Sequence, residues 1–166
     1  MNQLRQFLLC GISVFLIGVI GCGSNATKQD PSAANQGHQH AEGDELVWVK
    51  KDIEHGGYKI TLGHHGKDFH FGDEIEAAAM ITKDGKDIGD AVVSNCMLAE
   101  GDKKVLVEEK ALVFEPETDE EPAHYAQADM KIPEGAEHFL VQFKIKFPGE
   151  ETTATFEIEV HAHEAH

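Results

Sequence analysis

The chain has 166 residues, the size of about one domain, and its apolar content of 41% is ordinary for a globular protein rather than a disordered one. It is strongly acidic, because 30 Asp and Glu residues outnumber 14 Lys and Arg residues and give a formal net charge of −16. This charge argues against binding to nucleic acid or to anionic lipid headgroups, since both require a basic surface.

The first 22 residues combine a short polar start with an apolar run. Arg5 supplies the only side-chain charge of the start, and the run that follows, FLLCGISVFLIGVI, has 14 residues. A bilayer span needs about 20 residues, so this length suits the apolar part of a secretion signal better than a membrane helix. The run ends in VIGC at Cys22, and this ending resembles the lipobox of bacterial lipoproteins.

The resemblance to bacterial lipoproteins implies cleavage before Cys22, so that residues 1–21 are removed as a signal peptide. It also implies a diacylglycerol on the Cys22 sulfur and an acyl chain on the new amino terminus, which together hold a protein stably on a membrane. Gly23 stands where an Asp would mark retention at the inner membrane. We therefore expect an extracytoplasmic protein, on the outer membrane if the cell has two membranes.

Residues 22–45 form a polar segment that has no aliphatic side chain larger than Ala. This composition predicts a flexible tether with a reach on the order of 25 Å. His38 and His40 lie in it, close to Glu42 and Asp44. These groups suit Zn²⁺, Cu²⁺ or Ni²⁺, although ordering a flexible segment around an ion costs conformational entropy. The alternative is a solvated linker that binds nothing.

From residue 46 to residue 163 the apolar pattern alternates with a period of two, and turn sequences such as KDGK, EGDK and PGEE separate the alternating stretches. No stretch carries a sustained helical stripe of apolar residues. The alternation predicts that one face of a strand lies in the core with Phe139, Val141, Phe143, Ile145 and Phe147, and Trp48 is a further predicted core residue. The pattern predicts an all-β domain, an antiparallel β-sandwich of about seven to nine strands. Residues 164–166 follow it as a short tail that ends in histidine.

Two stretches carry a likeness to a known fold: MITKDGKDIGDAVVSNCML and HYAQADMKIPEGAEHFLVQFKI. They resemble the strands of immunoglobulin-like exported domains, including those of periplasmic proteins that handle copper. The resemblance implies an immunoglobulin-like sandwich. It supports a fold rather than a function, because one fold hosts many functions.

The stretch GHHGKDFHFGDE brings together His64, His65, Asp68 and His70. Glycines on both sides of the paired histidines predict a loop between strands, and loops at one end of a sandwich are common places for binding sites. Imidazoles and a carboxylate match the ligands of zinc and copper. The prediction depends on the loop, because neighbouring residues on a strand point to opposite faces.

The final strand ends in a third histidine group. His161 and His163 are predicted to lie on its outer face about 6.6 Å apart, close enough to share one ion, and His166 follows in the tail. The alternative is an exposed edge kept soluble by polar side chains. The isolated residues His55, His124 and His138 are predicted to be ordinary surface or strand-end positions.

The remaining candidate residues favour neither copper(I) nor catalysis. Cys96 is predicted to be a small buried residue, because its neighbour Met97 would point to the opposite face of a strand. The acidic stretch EPETDEEP, residues 115–122, lacks the spacing of a calcium loop and is predicted to be a solvated loop. The chain contains no nucleophile elbow, phosphate loop or zinc-protease motif.

Together these features predict a non-enzymatic, lipid-anchored domain that binds or buffers Zn²⁺ or Cu²⁺ through its histidines. The expected partners are the membrane, through the lipid anchor, a divalent metal ion and an envelope protein. The alternative function is an envelope protein-interaction or structural module whose histidines only add polarity. A third hypothesis is a pH-responsive surface, since the chain has 11 histidines.

Overall fold

The computed structural model describes residues 45–126 and 129–165. In this part of the chain there are twelve strands and no helix, so it contains no helix long and apolar enough to cross a membrane. The strands are β1 (Leu46–His55), β2 (Tyr58–His65), β3 (Phe69–His70), β4 (Glu74–Lys83), β5 (Lys86–Asp87), β6 (Val92–Ala99), β7 (Val105–Ala111), β8 (Val113–Glu115), β9 (His124–Ala126), β10 (Met130–Lys131), β11 (His138–Lys146) and β12 (Ala154–His163). Cys22, His38, His40 and His166 lie outside the described residues, as do the predicted signal peptide and lipid anchor.

The strands form two sheets. The first has the order β1-β2-β4-β9-β8, with the short strands β5 and β10 also paired to β4, and the second has the order β3-β12-β11-β6-β7. The series β2-β4-β9-β8 and β12-β11-β6-β7 correspond to the A-B-E-D and G-F-C-C′ sheets of an immunoglobulin domain. The predicted all-β sandwich is therefore confirmed.

The strand count and the pairing refine this prediction. Seven strands have between 7 and 10 residues, and the other five have two or three. The number of long strands thus agrees with the seven to nine strands that the sequence predicts. All pairings in the described residues are antiparallel except one, the parallel pairing of β3 with β12. This parallel pairing lies at one edge of the second sheet, which the chain reaches at β3 after leaving β2 of the first sheet.

The core lies between the two sheets, where the inner faces of the strands meet. On β11 and just after it, alternate residues are fully buried, as the alternation predicted: Phe139, Val141, Phe143, Ile145 and Phe147. Ile60 and Leu62 of β2 bury their side chains in the same cluster. Each such side chain contributes about 1.5–3 kcal/mol relative to an exposed one. Trp48, also a predicted core residue, is instead only half-buried.

Candidate metal centre

Two histidines face outward from the first sheet. Leu62 and Tyr125 are core residues, and successive residues of a strand point to opposite faces. His65, three positions after Leu62, and His124, one position before Tyr125, therefore both lie on the outer face. His65 ends β2 and His124 begins β9, and these two strands flank β4.

Small residues leave room for these rings on the outer face. Gly63 of β2 is paired with Ala78 of β4, and Ala78 is fully buried even though its neighbours Ala77 and Ala79 face the core. This face of the sheet is consequently covered here rather than open to solvent.

The backbone of strand β1 lies very close to that of β2 at Gly63. A Cβ atom on Gly63 would lie only 2.1 Å from the backbone oxygen of Val47, so the missing side chain allows this approach. Trp48, which is paired with Gly63, meets the His124 ring edge-on at a centroid distance of 6.3 Å. The indole therefore packs against one of the two outward histidines.

The connection between β8 and β9, residues 116–123, supplies a carboxylate. Thr118 fixes its turn, because the Thr118 hydroxyl accepts hydrogen bonds from the backbone N–H groups of Glu120 and Glu121, at 3.3 and 3.1 Å. The N–H of Thr118 in turn donates to the carbonyl of Glu121 at 2.9 Å. Glu121 is thereby held three residues before His124, with its side chain 22% exposed.

The Glu121 carboxylate lies between the two imidazoles. Its Oε1 is 3.8 Å from Nδ1 of His65, its Oε2 is 3.9 Å from Nε2 of His124, and both histidine side chains are 2% exposed. The two rings have a centroid distance of 5.7 Å. Within the described ranges, this is the only group of three or more His, Cys, Asp or Glu residues whose possible ligand atoms all lie within 4.8 Å of one another.

The His124 ring has a defined tautomer when it is neutral. Its Nδ1 lies 2.7 Å from the carbonyl oxygen of Pro122, and a carbonyl can only accept, so Nδ1 carries the proton and Nε2 presents a lone pair. Nε2 is buried and has no hydrogen-bond partner. A histidine whose other nitrogen donates to a backbone carbonyl is the usual arrangement of a metal ligand, because that bond orients the ring.

The distances suit a small divalent ion. A tetrahedral zinc ion binds nitrogen and oxygen at about 2.0–2.2 Å, which separates neighbouring ligand atoms by roughly 3.3–3.6 Å. The separations of 3.8 and 3.9 Å reach different oxygens of Glu121, and the possible ligand atoms of the three residues lie within 4.8 Å of one another. The group therefore has to contract by up to about 1.5 Å when it holds an ion. Two imidazoles and one carboxylate suit Zn²⁺ or Cu²⁺, whereas Mg²⁺ and Ca²⁺ prefer oxygen ligands alone and Cu⁺ prefers sulfur.

The loop predicted around His64 and His65 is wrong. Both residues belong to β2, so their side chains point to opposite faces. His64 points inward and meets Phe69 at a ring-centroid distance of 5.1 Å, and burial lowers the pKa of His64 below its ordinary value. Asp68 is exposed between β2 and β3, and His70 belongs to the second sheet. Of these four predicted ligands, only His65 joins the candidate centre.

The other predicted positions have varied outcomes. His161 and His163 are exposed on β12, on the outer face as predicted. His124 and Glu121 were missed, because His124 was taken for an ordinary strand-end residue and Glu121 for part of a solvated loop. One signal for His124 was present: Tyr125 reads as a core residue of a short strand, which places His124 on the outer face.

Comparisons with known proteins add no assignment to this geometry. No family model matches the chain, and searches of curated proteins and of solved structures find no match either. The strand order shows the fold alone, since immunoglobulin-like domains serve many functions. Function therefore has to be argued from the site.

Proposed function

We propose that this protein binds a divalent transition metal ion, Zn²⁺ or Cu²⁺, at His65, Glu121 and His124. The observation that carries the proposal is the Glu121 carboxylate, which lies 3.8 and 3.9 Å from a nitrogen of each of two buried imidazoles. Both distances are too long for hydrogen bonds. Both are close to the spacing of ligand atoms around one ion.

The energetics of His124 support the same proposal. Its buried Nε2 has no hydrogen-bond partner, and leaving a buried polar atom unsatisfied costs about 1–3 kcal/mol. The carboxylate of Glu121 lies 3.9 Å from this atom, and its negative charge repels a lone pair. A divalent cation between these two groups would accept the lone pair of Nε2 and turn the repulsion from the carboxylate into attraction.

Metal binding or buffering suits the site better than catalysis does. A catalytic zinc ion keeps one position open to water and substrate. In this centre two of the three ligands are 2% exposed, and only Glu121, at 22%, reaches solvent. The site therefore favours retention of an ion, which enters and leaves on the Glu121 side.

Titration calorimetry of the purified full chain tests this function. We expect Zn²⁺ or Cu²⁺ to bind with a dissociation constant below about 10 μM, whereas Mg²⁺ and Ca²⁺ serve as matched controls that release no binding heat. If neither transition metal binds more tightly than about 10 μM, the metal-binding function is rejected.

We also propose that the domain is anchored outside the cytoplasm by lipids on Cys22. The support is the order of features in residues 1–22, a charged start, a 14-residue apolar run and the VIGC ending. In a lipidating bacterial host, Cys22→Ser should accumulate as unlipidated precursor. Cys10→Ser, a change within the same apolar run, should be processed normally. Normal lipidation of the Cys22→Ser chain would refute the anchor.

A further inference from the structure

Four histidines lie side by side on the outer face of the second sheet, and we call them the histidine row: His70, His138, His161 and His163. His138 of β11 is in register with His161 of β12, and His70 of β3 is in register with His163 of β12. Residues in register on neighbouring strands point to the same face of a sheet. Ala162, between His161 and His163, is buried, so both of these histidines point away from the core.

Two of the rings already touch. The centroids of His138 and His161 are 4.5 Å apart, with the ring planes at 90°. His163 lies on the same face about 6.6 Å further along the strand, within reach of the same ion. Three imidazoles with one open position are an established ligand set for zinc.

The fourth member lies at the edge of the row. His70 receives support from Asp73, whose Oδ2 lies 3.4 Å from the Nδ1 of His70 and accepts a hydrogen bond from its backbone N–H at 2.8 Å. This contact directs the His70 ring toward the carboxylate, and the row spans three strands with His70 at one end and His138 at the other.

The surroundings of the row favour a cation and permit convergence. His138, His161 and His163 are exposed, so rotation about their side-chain bonds meets no packed neighbour of the core. Glu159, two residues before His161, is exposed on the same face, and the chain as a whole carries a net charge of −16. In the described residues, the ring nitrogens of three members of the row do not all lie within 4.8 Å of one another. Binding of one ion therefore requires the rings to rotate toward a common point.

We propose that the histidine row is a second metal site, which binds Zn²⁺ or Cu²⁺ through His138, His161 and His163. It is independent of the buried centre, because it lies on the other sheet and shares no residue with it. Its affinity is lower than that of the buried centre, since three exposed side chains must give up rotational freedom when they converge. Its exposure also makes exchange with metal in solution fast.

Equilibrium dialysis against Zn²⁺ tests the row in a full chain that carries His65→Ala and His124→Ala. This chain should retain a zinc site even though the buried centre is absent. Adding His161→Gln or His138→Gln should weaken that site at least about tenfold. His55→Gln, a change in a half-buried histidine outside the row, should leave the affinity of that site unchanged, and so should paired His38→Gln and His40→Gln changes.

If the variant with His65→Ala and His124→Ala does not fold, NMR spectroscopy of the unaltered chain tests the same site. Beyond the first equivalent of Zn²⁺, the imidazole NMR signals of His138, His161 and His163 should shift together. The proposal is overturned if those signals stay in place, or if a folded chain without the buried centre binds zinc equally well with and without His161. Failure of the buried centre alone, with zinc still held by the row, would contradict the proposed function and not this inference.

Discussion

The buried Nε2 atom of His124 lies 3.9 Å from Oε2 of Glu121, whose side chain is 22% exposed. The distance is too long for a hydrogen bond, and the Pro122 carbonyl already engages the proton of the ring. A lone pair and a carboxylate thus face each other across a gap that suits one cation. The following predictions test this arrangement and the fold that holds it.

Loss of a ligand should abolish tight binding at the buried centre. His124→Ala removes a nitrogen ligand, so we expect zinc affinity to fall by more than about 100-fold. Loss of a residue that only orients a ligand typically lowers metal affinity by about 10- to 100-fold, and loss of the ligand itself should cost more. Competition with a zinc chelator measures this change. His55→Gln is the matched control and should bind as the wild type does. Equal affinity of the His124→Ala and wild-type chains would exclude His124 as a ligand.

Bound metal should stabilise the fold. An ion that binds only the folded chain adds about 2.7 kcal/mol to the free energy of unfolding at 100 times its dissociation constant. Thermal unfolding with zinc and with excess chelator measures the difference. Glu121→Gln keeps the size of the side chain but removes its charge, so the shift in melting temperature should largely disappear. A shift of the same size in Glu121→Gln would show that the stabilising ion binds elsewhere.

Gly63 should be intolerant of any side chain. In Gly63→Ala the new Cβ would lie 2.1 Å from the backbone oxygen of Val47, so β1 must move away from β2. We expect a loss of about 1–3 kcal/mol in the free energy of unfolding, measured with denaturant. Gly101→Ala is the control, because a Cβ there meets nothing within 4 Å, and it should change stability by less than about 0.5 kcal/mol. Equal stability of the two variants would contradict the close approach of β1.

Cys96 should react slowly in the folded protein. The residue is 5% exposed, and burial raises the pKa of its thiol, so the reactive thiolate is scarcer at neutral pH than in an exposed cysteine. Alkylation with iodoacetamide, followed by mass spectrometry of the peptide that contains Cys96, should be slow in the native chain and fast in denaturant. Similar rates in the two conditions would contradict the burial of this side chain.

The sequence predicts the sandwich well because its signal is local. Alternation from Phe139 to Phe147 places one face of β11 in the core, and the same rule correctly places His161 and His163 outside. Trp48 shows the limit of this signal: a large aromatic residue was expected in the core, but it lies half-buried and packs against His124.

The candidate centre could not be predicted in the same way, because it depends on long-range pairing. His65 and His124 belong to strands that meet only through β4, and β9 is paired with β4 through a single pair, Ala79 and Tyr125. Glu121 joins them through a turn held by Thr118. The histidine row depends likewise on the register of β12 with two other strands, which periodicity within one strand does not specify.

Diffraction from zinc-soaked crystals, with anomalous scattering measured at the zinc edge, would locate an ion bound by His65, Glu121 and His124. We expect an anomalous peak about 2.0–2.2 Å from a ring nitrogen of His65, from Nε2 of His124 and from a carboxylate oxygen of Glu121. A zinc-soaked crystal with no peak between these three side chains, or with the Glu121 carboxylate turned away to solvent, would contradict the proposed metal centre.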